Sequence, residues 1–295
     1  MEPILISIAV CTYDGEKYIV EQLDSLAGQD YPNLEIVIVD DCSNDNTYAL
    51  LEQYQQKHNN NIRLYKNTEN LGFNKNFERA LSLCLGNYIA IADQDDIWDL
   101  QKISLMMKNK KDNLLLYHDS AIMNNDGSLT GKMSDGHRFV SGQCEEYLLY
   151  NNSVSGHTCF INKELLPHII PFPPNMYYDW WMSYTAACLG RIDFIDASLV
   201  KHRRHTSNST VADKVNDKDR RINNLKLFEN HPLNRPSTTI FIKQLLSGYE
   251  VLDARKFSFK LFFVLLLHHK TLFYTRKKSL FTKAKFIFKE CWGKN

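Results

Sequence analysis

Short apolar runs alternate with longer amphipathic stretches in the first part of the chain. Ile4–Val10, Glu35–Val39, Ile62–Tyr65 and Tyr88–Ala92 are short runs of mainly apolar residues, which is typical of buried strands. Between the first two runs, apolar residues recur at helical spacing from Glu16 to Ala27, and the later gaps show the same period. This alternation predicts an α/β protein with a doubly wound, mostly parallel sheet that is covered by helices.

Polar and acidic side chains directly follow three of these runs. They are Thr12 and Tyr13 after the first run, Asp40 and Asp41 after the second, and Asp93, Asp95 and Asp96 after the fourth. Open α/β sheets bind ligands in the crevice beyond the carboxyl ends of their strands, so we expect these side chains to meet there. A turn can direct Asp93 and Asp95 toward one divalent cation, which is the arrangement for holding a nucleoside diphosphate. Asp96 or Asp99 is explained more simply as the cap of the next helix.

Helix capping is also an alternative explanation for the polar group after the second strand. Residues 43–47 are of types that cap helices, and helical spacing follows them. Capping does not explain why Asp40 and Asp41 stand together at the strand end. The loop after the first strand lacks the GxGxxG pattern, which disfavours an enzyme that transfers hydride to or from a dinucleotide.

The alternation stops after a fifth predicted strand, Leu114–Tyr117. Asn124–Gly127 is a strong hairpin-turn signal, residues 128–156 are predicted to be irregular, and Thr158–Ile161 is predicted to be a short strand. Asp179 then lies among four aromatic residues at the start of a helix. Loss of hydration there would raise its proton affinity and suit it to act as a general base. A helix-capping aspartate beside core aromatics is the alternative.

Two histidines follow the last predicted strand, Asp193–Val200. His202 and His205 lie with three cations in the segment Lys201–Asn208, which could bind phosphate or supply a metal ligand. A structural or solvated role is the alternative for each histidine.

The formal net charge of +1 hides a strong asymmetry along the chain. Residues 1–254 contain 24 Lys and Arg against 33 Asp and Glu, whereas residues 255–295 contain 11 against the single acid Glu290. The basic residues of this last segment are interspersed with aromatic ones, which favours an anionic membrane surface as a partner, at about 1 kcal/mol per basic residue. A pair of protein-docking helices is the alternative. Nucleic acid is disfavoured because the acidic body would repel its phosphates.

The composition predicts a folded protein of a reducing compartment. The chain has 295 residues, of which 44% are apolar, and its seven cysteines form neither a disulfide framework nor a zinc-ligand pattern. The first strand runs directly into Cys11–Asp14 without the features of a secretory signal. The longest apolar run, Leu261–Leu267, is far shorter than the ~18 residues of a spanning helix.

Residues 4 to about 210 resemble the family 2 glycosyltransferases with the GT-A fold. The stretches Ile-Ser-Ile-Ala-Val-Cys-Thr-Tyr-Asp-Gly, Ile-Val-Ile-Val-Asp-Asp-Cys-Ser-Asn-Asp-Asn-Thr and Ala-Asp-Gln-Asp-Asp-Ile-Trp look like the family's first strand, second strand and DxD motif. Their common order and spacing make the resemblance specific. Residues 157–160, 178–181 and 202–208 look like acceptor-side motifs of the rhamnosyltransferase-like branch.

The resemblance implies a role for individual residues. On the nucleotide side, it implies that Tyr13 stacks on the base with Thr12 nearby, that Asp41 binds the base or ribose with Asp40 in support, that Lys75 reaches the nucleotide and that Asp93 contacts the ribose. Toward the reaction, it implies that Asp95 ligates Mn²⁺ or Mg²⁺, that His205 is a late metal or diphosphate ligand which His202 could replace, and that Asp179 is the catalytic base.

The implied activity is inverting transfer of a sugar from a nucleotide-diphosphate donor, dTDP-rhamnose or a UDP-hexose, to a hydroxyl of a glycan or lipid-linked glycan. We expect a GT-A domain over residues 1–230, with a nucleotide half (1–120) and an acceptor half (121–230), and a helical membrane-associating extension over residues 231–295. The expected location is the cytoplasmic face of the cell membrane. A non-catalytic sugar-nucleotide-binding partner of a polysaccharide assembly complex is the main alternative, and a nucleotidyltransferase is a weaker one.

Overall fold

The computed structural model describes residues 3–58, 61–204, 217–252 and 256–293. Its strands are β1 (Ile6–Thr12), β2 (Leu34–Asp40), β3 (Ile62–Lys66), β4 (Tyr88–Ala92), β5 (Ile97–Trp98), β6 (Leu115–Met123), β7 (Leu129–Lys132), β8 (Phe160–Asn162) and β9 (Ile192–Arg203). Its helices are α1 (Ile19–Ala27), α2 (Thr47–His58), α3 (Phe73–Leu83), α4 (Lys102–Asn109), α5 (Met133–Gly136), α6 (Leu166–Ile169), α7 (Tyr178–Cys188), α8 (Asp217–Glu229), α9 (Pro236–Glu250), α10 (Phe259–Leu267), α11 (His269–Leu272) and α12 (Leu280–Glu290).

The strands form one sheet in the order β3-β2-β1-β4-β8-β6-β9-β5, with β7 paired to β6. The first four strands in this order are parallel, as the alternation of strands and helices predicts. Antiparallel pairing enters with β8, which lies between β4 and β6. Parallel strands end at the same edge of the sheet, so the polar residues that follow β1, β2 and β4 lie at one edge. The predicted α/β fold class is confirmed.

The second half of the sheet is more regular than the sequence predicts. The predicted hairpin turn at Asn124–Gly127 joins β6 to β7 and is confirmed. The interpretation of residues 128–156 as irregular is wrong in part, because they include β7, α5 and a 3₁₀ helix at Glu145–Leu148. β6 also extends beyond the predicted Leu114–Tyr117, because buried polar residues interrupt its apolar run.

Two apolar cores lie on the two faces of the sheet. One core packs α1, α2 and α4 against the sheet. The other begins at α3, includes α7 and continues into α8, α9, α10 and α12. The C-terminal helices therefore pack on the core that contains α3 and α7, with Leu261 and Leu265 fully buried. Within the described residues, no helix combines the length and apolarity needed to cross a bilayer.

Candidate functional site

A cavity of about 410 Å³ lies at the carboxyl ends of the parallel strands. We call it the strand-end cavity. Among the residues that line it are Thr12, Tyr13, Asp41, Asp93 and Asp95, all of which the sequence places at strand ends. The topology of the sheet thus brings these five predicted site residues together, as expected for an open α/β sheet.

Asp40 is fully buried behind this cavity and holds the neighbouring loops. Its carboxylate accepts hydrogen bonds from the hydroxyl of Thr12 (2.9 Å) and from the backbone N–H of Ser43 (3.0 Å). These contacts tie the end of β1 to the start of the loop before α2. Asp40 therefore holds the loops behind the cavity, and its support of a bound nucleotide stays a prediction.

Asp41 is also buried and holds the loop that leads into α3. Its carboxylate accepts hydrogen bonds from the Asn67 side chain (2.5 Å) and from the backbone N–H groups of Leu71 (2.8 Å) and Gly72 (2.9 Å). Gly72 has a φ of 79°, a conformation that glycine adopts at low cost. The Asp41 carboxylate therefore fixes one wall of the strand-end cavity.

Tyr13 is 41% exposed at the mouth of the strand-end cavity. Its backbone is fixed by a pair of hydrogen bonds with the side chain of Gln94, which accepts from the Tyr13 N–H (2.8 Å) and donates to the Tyr13 carbonyl (2.9 Å). The loop after β4 thus holds the loop after β1, and the Tyr13 ring is left accessible to a ligand.

Four potential metal ligands converge beside this cavity: Asp93, Asp96, His157 and His202. One ligand atom from each lies within 4.8 Å of the others. The two imidazole rings are stacked, with centroids 4.4 Å apart, and His157 Nδ1 lies 3.6 Å from an Asp93 oxygen. Carboxylate and imidazole groups are common ligands of divalent metals, so this cluster can hold a divalent cation.

The hydrogen bonds of the cluster fit a metal site. His202 Nδ1 lies 3.0 Å from Asp96 Oδ1, and metal-binding histidines commonly donate their second ring nitrogen to a carboxylate in this way. The other carboxylate oxygen of Asp96 is buried and has no hydrogen-bond partner among the described residues. A buried carboxylate oxygen without a donor is costly, and a cation would compensate it.

Burial and charge act differently on the groups of the cluster. Burial lowers the pKa of His157 to about 3, with a further contribution from the neighbouring His202. Burial alone would also lower the pKa of His202, but its hydrogen bond to Asp96 and the surrounding carboxylates raise that pKa to about 9. Burial raises the pKa of Asp93. The surrounding carboxylates therefore favour the protonated form of His202.

Lys102 lies fully buried beneath the cluster. Its ammonium donates a hydrogen bond to the His157 carbonyl (2.8 Å) and lies 3.3 Å from the centroid of the Trp98 ring. Burial lowers the pKa of Lys102 well below its usual value. This lysine ties α4 to the segment that carries His157.

The predicted roles of Asp95, Lys75 and His205 stay predictions. Asp95 lines the strand-end cavity but lies outside the cluster, and its role as a metal ligand stays a prediction. Lys75 is exposed on α3 and pairs with Glu78 (2.8 Å) instead of lining the strand-end cavity, so its contact with a nucleotide stays a prediction. His205 lies outside the described residues, whereas His202 belongs to the cluster.

Asp179 stands at the start of α7 with its carboxyl group partly buried. Burial raises its pKa to about 7, against the opposing effect of hydrogen bonds from the Trp180 and Gly156 backbone and from Asn152. The negative charge of Asp93 raises the pKa further. A carboxylate with a pKa near neutrality can accept a proton efficiently, and the role of Asp179 as the general base stays a prediction.

Gly156 allows close packing beside this carboxyl group. A Cβ at position 156 would overlap the hydroxyl of Tyr178, the residue before Asp179. The absence of a side chain lets the Gly156 backbone approach the first turn of α7 and hydrogen-bond to Asp179.

A second cavity, of about 610 Å³, meets the strand-end cavity at Asp179. We call it the basic cavity, because Arg220, Arg221, Arg276, Lys278 and Lys283 contribute to its walls. Ser155, Tyr177 and Asp179 line both cavities. Asp179 therefore contributes to the walls of both cavities, so ligands in the two cavities can meet beside it.

Reasoning from the sequence missed three features of this site. It explained Asp96 or Asp99 as the cap of the next helix. Asp96 is instead buried and bonded to His202, whereas Asp99 accepts a hydrogen bond from the Gln101 N–H near the start of α4. It noted His157 only as part of an acceptor-side motif, and it gave no role to Lys102. Of these three residues, only His157 had a signal in the sequence, which is its position after Gly156 and just before a short predicted strand.

Comparison with known proteins identifies relatives of this arrangement. The model of the family described as Glycosyl transferase family 2 matches residues 7–168. The UDP-Glc:alpha-D-GlcNAc-diphosphoundecaprenol beta-1,3-glucosyltransferase WfgD of Escherichia coli is 30% identical over 243 residues, which are 80% of this chain and 90% of WfgD. An uncharacterized glycosyltransferase of Haemophilus influenzae is 28% identical over 68% of this chain, and the match spans 66% of that relative.

Among solved structures, Staphylococcus aureus TarS in complex with UDP-GlcNAc superposes with a TM-score of 0.65 at 21% identity, covering 91% of this chain and 82% of the TarS chain. At this level of identity, the likeness supports the fold.

Proposed function

Since the chain belongs to glycosyl transferase family 2, we propose that it transfers a sugar from a nucleotide-diphosphate donor to a hydroxyl group of a growing, lipid-linked surface polysaccharide. The observation that carries this proposal is the position of Asp179, where the strand-end cavity and the basic cavity meet. A transferase needs a donor and an acceptor on either side of one proton-accepting group.

The proposed donor side is the strand-end cavity. The exposed ring of Tyr13 would stack on the base, Thr12, Asp41 and Asp93 would contact the nucleoside, and Asp40 would hold Thr12 in place. The donor is a dTDP-rhamnose or a UDP-hexose. Membership of the rhamnosyltransferase-like branch remains part of this proposal and rests on the motifs at residues 157–160, 178–181 and 202–208.

The proposed reaction is a single inverting displacement. Asp179 accepts the proton of the acceptor hydroxyl while that oxygen forms a bond to the anomeric carbon, and the bond from the anomeric carbon to the diphosphate oxygen breaks. The electron pair of the broken bond leaves with the nucleoside diphosphate. A bound Mn²⁺ or Mg²⁺ would neutralise charge on this leaving group. That cation can be held by Asp93, Asp96, His157 and His202. Asp95 lies in the loop after β4 between Asp93 and Asp96.

The proposed activity is tested by measuring release of nucleoside diphosphate from a panel of dTDP- and UDP-sugars, with a lipid-linked acceptor and with Mn²⁺, Mg²⁺ or EDTA. We expect one donor to be turned over in the presence of metal. The Asp95→Ala variant should lose this turnover, because the variant removes a carboxylate from the wall of the strand-end cavity.

Two results of this measurement would contradict the proposal. Nucleotide binding without transfer or donor hydrolysis across a broad acceptor panel would favour the non-catalytic sugar-nucleotide-binding partner. Release of pyrophosphate instead of nucleoside diphosphate would favour a nucleotidyltransferase.

We further propose that residues 1–230 form the transferase domain, with halves at 1–120 and 121–230, and that residues 231–295 are an extension that binds an anionic membrane surface. On α10, Phe259, Phe263 and Leu267 recur every four residues and form an exposed stripe, with exposed fractions of 68%, 56% and 78%. The ring of Phe257 contacts both Phe259 of this stripe and Phe288 of α12, with centroids 5.0 and 5.5 Å apart. An exposed apolar surface within a basic segment fits the interface of an anionic bilayer. The proposed location is the inner face of the cell membrane.

Replacing the exposed stripe should weaken membrane binding. We expect the Phe259→Gln/Phe263→Gln/Leu267→Gln variant to bind anionic vesicles at least about tenfold more weakly than the native chain, because three apolar side chains no longer enter the interface. Sedimentation with vesicles of anionic and zwitterionic lipid measures this change.

The matched control is Leu85→Gln/Leu100→Gln/Leu129→Gln, which replaces three leucines that are 61%, 53% and 57% exposed elsewhere in the chain. Equal vesicle binding by the native chain and the stripe variant would reject the membrane proposal.

A further inference from the structure

The basic cavity differs in charge from the body of the protein. Residues 1–254 carry an excess of acidic groups, whereas five cationic side chains contribute to this one cavity: Arg220 and Arg221 from these residues, and Arg276, Lys278 and Lys283 from the basic segment 255–295. Its walls carry two carboxylates, Asp179 and Asp217. Five cations around one cavity indicate a site for an anion.

Three of the five cations have no carboxylate partner within ion-pair distance in the described part of the chain. Arg220 pairs with Asp217 (2.5 Å), and Arg221 pairs with the buried Glu290 (2.5 Å). Arg276, Lys278 and Lys283 have no such ion pair among residues 3–58, 61–204, 217–252 and 256–293. Burial lowers the pKa of Arg276 and of Lys283, so both cations lose hydration without gaining a counter-ion from the described residues.

Part of the remaining wall is aromatic. Phe273 and Phe286 line the basic cavity together with Tyr150, and Arg221 lies over the rings of Tyr150 (5.1 Å) and Phe286 (5.0 Å). α12 carries Lys283 and Phe286 toward the cavity and exposes Phe281 and Phe288. The cavity thus combines three cations that have no ion pair among the described residues with an aromatic surface, at the side of the molecule formed by the C-terminal helices.

We propose that Arg276, Lys278 and Lys283 bind a phosphate or diphosphate group of the acceptor and thereby position its sugar hydroxyl at Asp179. This inference rests on the proposed function, because it identifies the ligand of the basic cavity as the acceptor. Charge-assisted hydrogen bonds from guanidinium and ammonium groups are the strongest that a protein offers to phosphate. The shared chemistry is a phosphate ester, which is present both in a lipid diphosphate and in a phosphodiester polymer.

The test compares two soluble acceptors that carry the same sugar, one as an octyl diphosphate ester and one as a neutral octyl glycoside, with the full chain and without vesicles. For the Arg276→Gln/Lys278→Gln/Lys283→Gln variant, we expect the ratio of kcat/KM for the diphosphate to kcat/KM for the glycoside to fall at least about tenfold, mainly through KM. The control variant Lys57→Gln/Lys226→Gln/Lys243→Gln removes the same charge from exposed positions outside the cavity. Its ratio should equal that of the native chain.

An equal fall in kcat/KM for both acceptors would assign the three cations a structural role and overturn the proposal, as would an unchanged ratio. Thermal melting of both variants shows whether they fold.

A binding measurement separates this proposal from the proposed function. The native chain is saturated with UDP to occupy the strand-end cavity and titrated by calorimetry with octyl diphosphate or with a glycerol-phosphate oligomer. Binding of either probe that is lost in the Arg276/Lys278/Lys283 variant and kept in the control supports the anion site even if no transfer is detected, and the tighter probe identifies the source of the phosphate. Binding of neither probe, or equal binding to both variants, would overturn the proposal even if transfer is detected.

Discussion

The Asp179→Asn variant is expected to transfer sugar about 10²- to 10⁴-fold more slowly than the native chain, because a positioned general base contributes a factor of this size. Asparagine keeps the shape of the side chain and cannot accept the proton. The loss should appear in kcat for transfer at saturating donor and acceptor. The exposed Asp112→Asn serves as the control, since it removes one carboxylate outside both cavities.

The pH dependence gives an independent check on Asp179. Burial raises the pKa of its carboxyl group to about 7, so kcat/KM of the native chain should rise with pH up to about 7 and level off above it. The folded-state pKa lies above the ordinary value of 3.8. The proton on Asp179 therefore stabilises the fold at low pH, and this contribution is lost as the pH rises through about 7.

Asparagine does not ionise, so the Asp179→Asn variant does not lose this contribution. The difference in melting temperature between the variant and the native chain should therefore shift in favour of the variant as the pH rises from about 4 to about 7. Transfer by Asp179→Asn within a factor of ten of the native rate would show that another group is the base.

Removal of the divalent cation is the second large effect that we expect. EDTA should reduce sugar transfer at least about 100-fold, because a cation that neutralises the leaving diphosphate contributes several kcal/mol to the stability of the transition state. Added Mn²⁺ or Mg²⁺ should restore the activity, and the better of the two identifies the metal. Full activity in EDTA would reject a metal-dependent mechanism.

Variants of the cluster test where the cation binds. We expect His202→Ala to raise the Kd for Mn²⁺ about 10- to 100-fold, measured by calorimetry with UDP present, because the Asp96–His202 pair is lost. Asp95→Asn should have a similar effect if Asp95 is a ligand as the DxD resemblance implies. The exposed His168→Ala is the control. Unchanged Mn²⁺ binding by both variants would place the metal site away from His202 and Asp95.

The acidic strand ends were predictable from the sequence for a local reason. Neighbouring parallel strands end at the same edge of the sheet, and the residues that follow them lie at that edge. Thr12, Asp41 and Asp93 could therefore be placed together without knowledge of their contacts. The aromatic surroundings of Asp179 could be predicted for a similar reason, because the residues around its carboxyl group include its neighbours in the sequence.

The pairing of His157 with His202 could not be predicted in this way. His157 lies in a 3₁₀ helix before β8, and His202 lies near the end of β9. Their stacking depends on where β9 enters the sheet, and β9 pairs with both β6 and β5. The role of Asp96 depends on the same pairing, because the short strand β5 follows it and brings it against β9.

The sequence by itself determined the α/β order, the acidic edge of the sheet, the aromatic setting of Asp179 and the basic C-terminal segment. These features follow from residue types that are close together along the chain, where period and spacing are sufficient evidence. The tertiary structure alone decided which carboxylates and histidines share a site, that Lys102 is buried beneath them and that two cavities meet at Asp179. Such features depend on contacts between elements distant along the chain, and the packing of the C-terminal helices on the core near α7 is what closes the basic cavity.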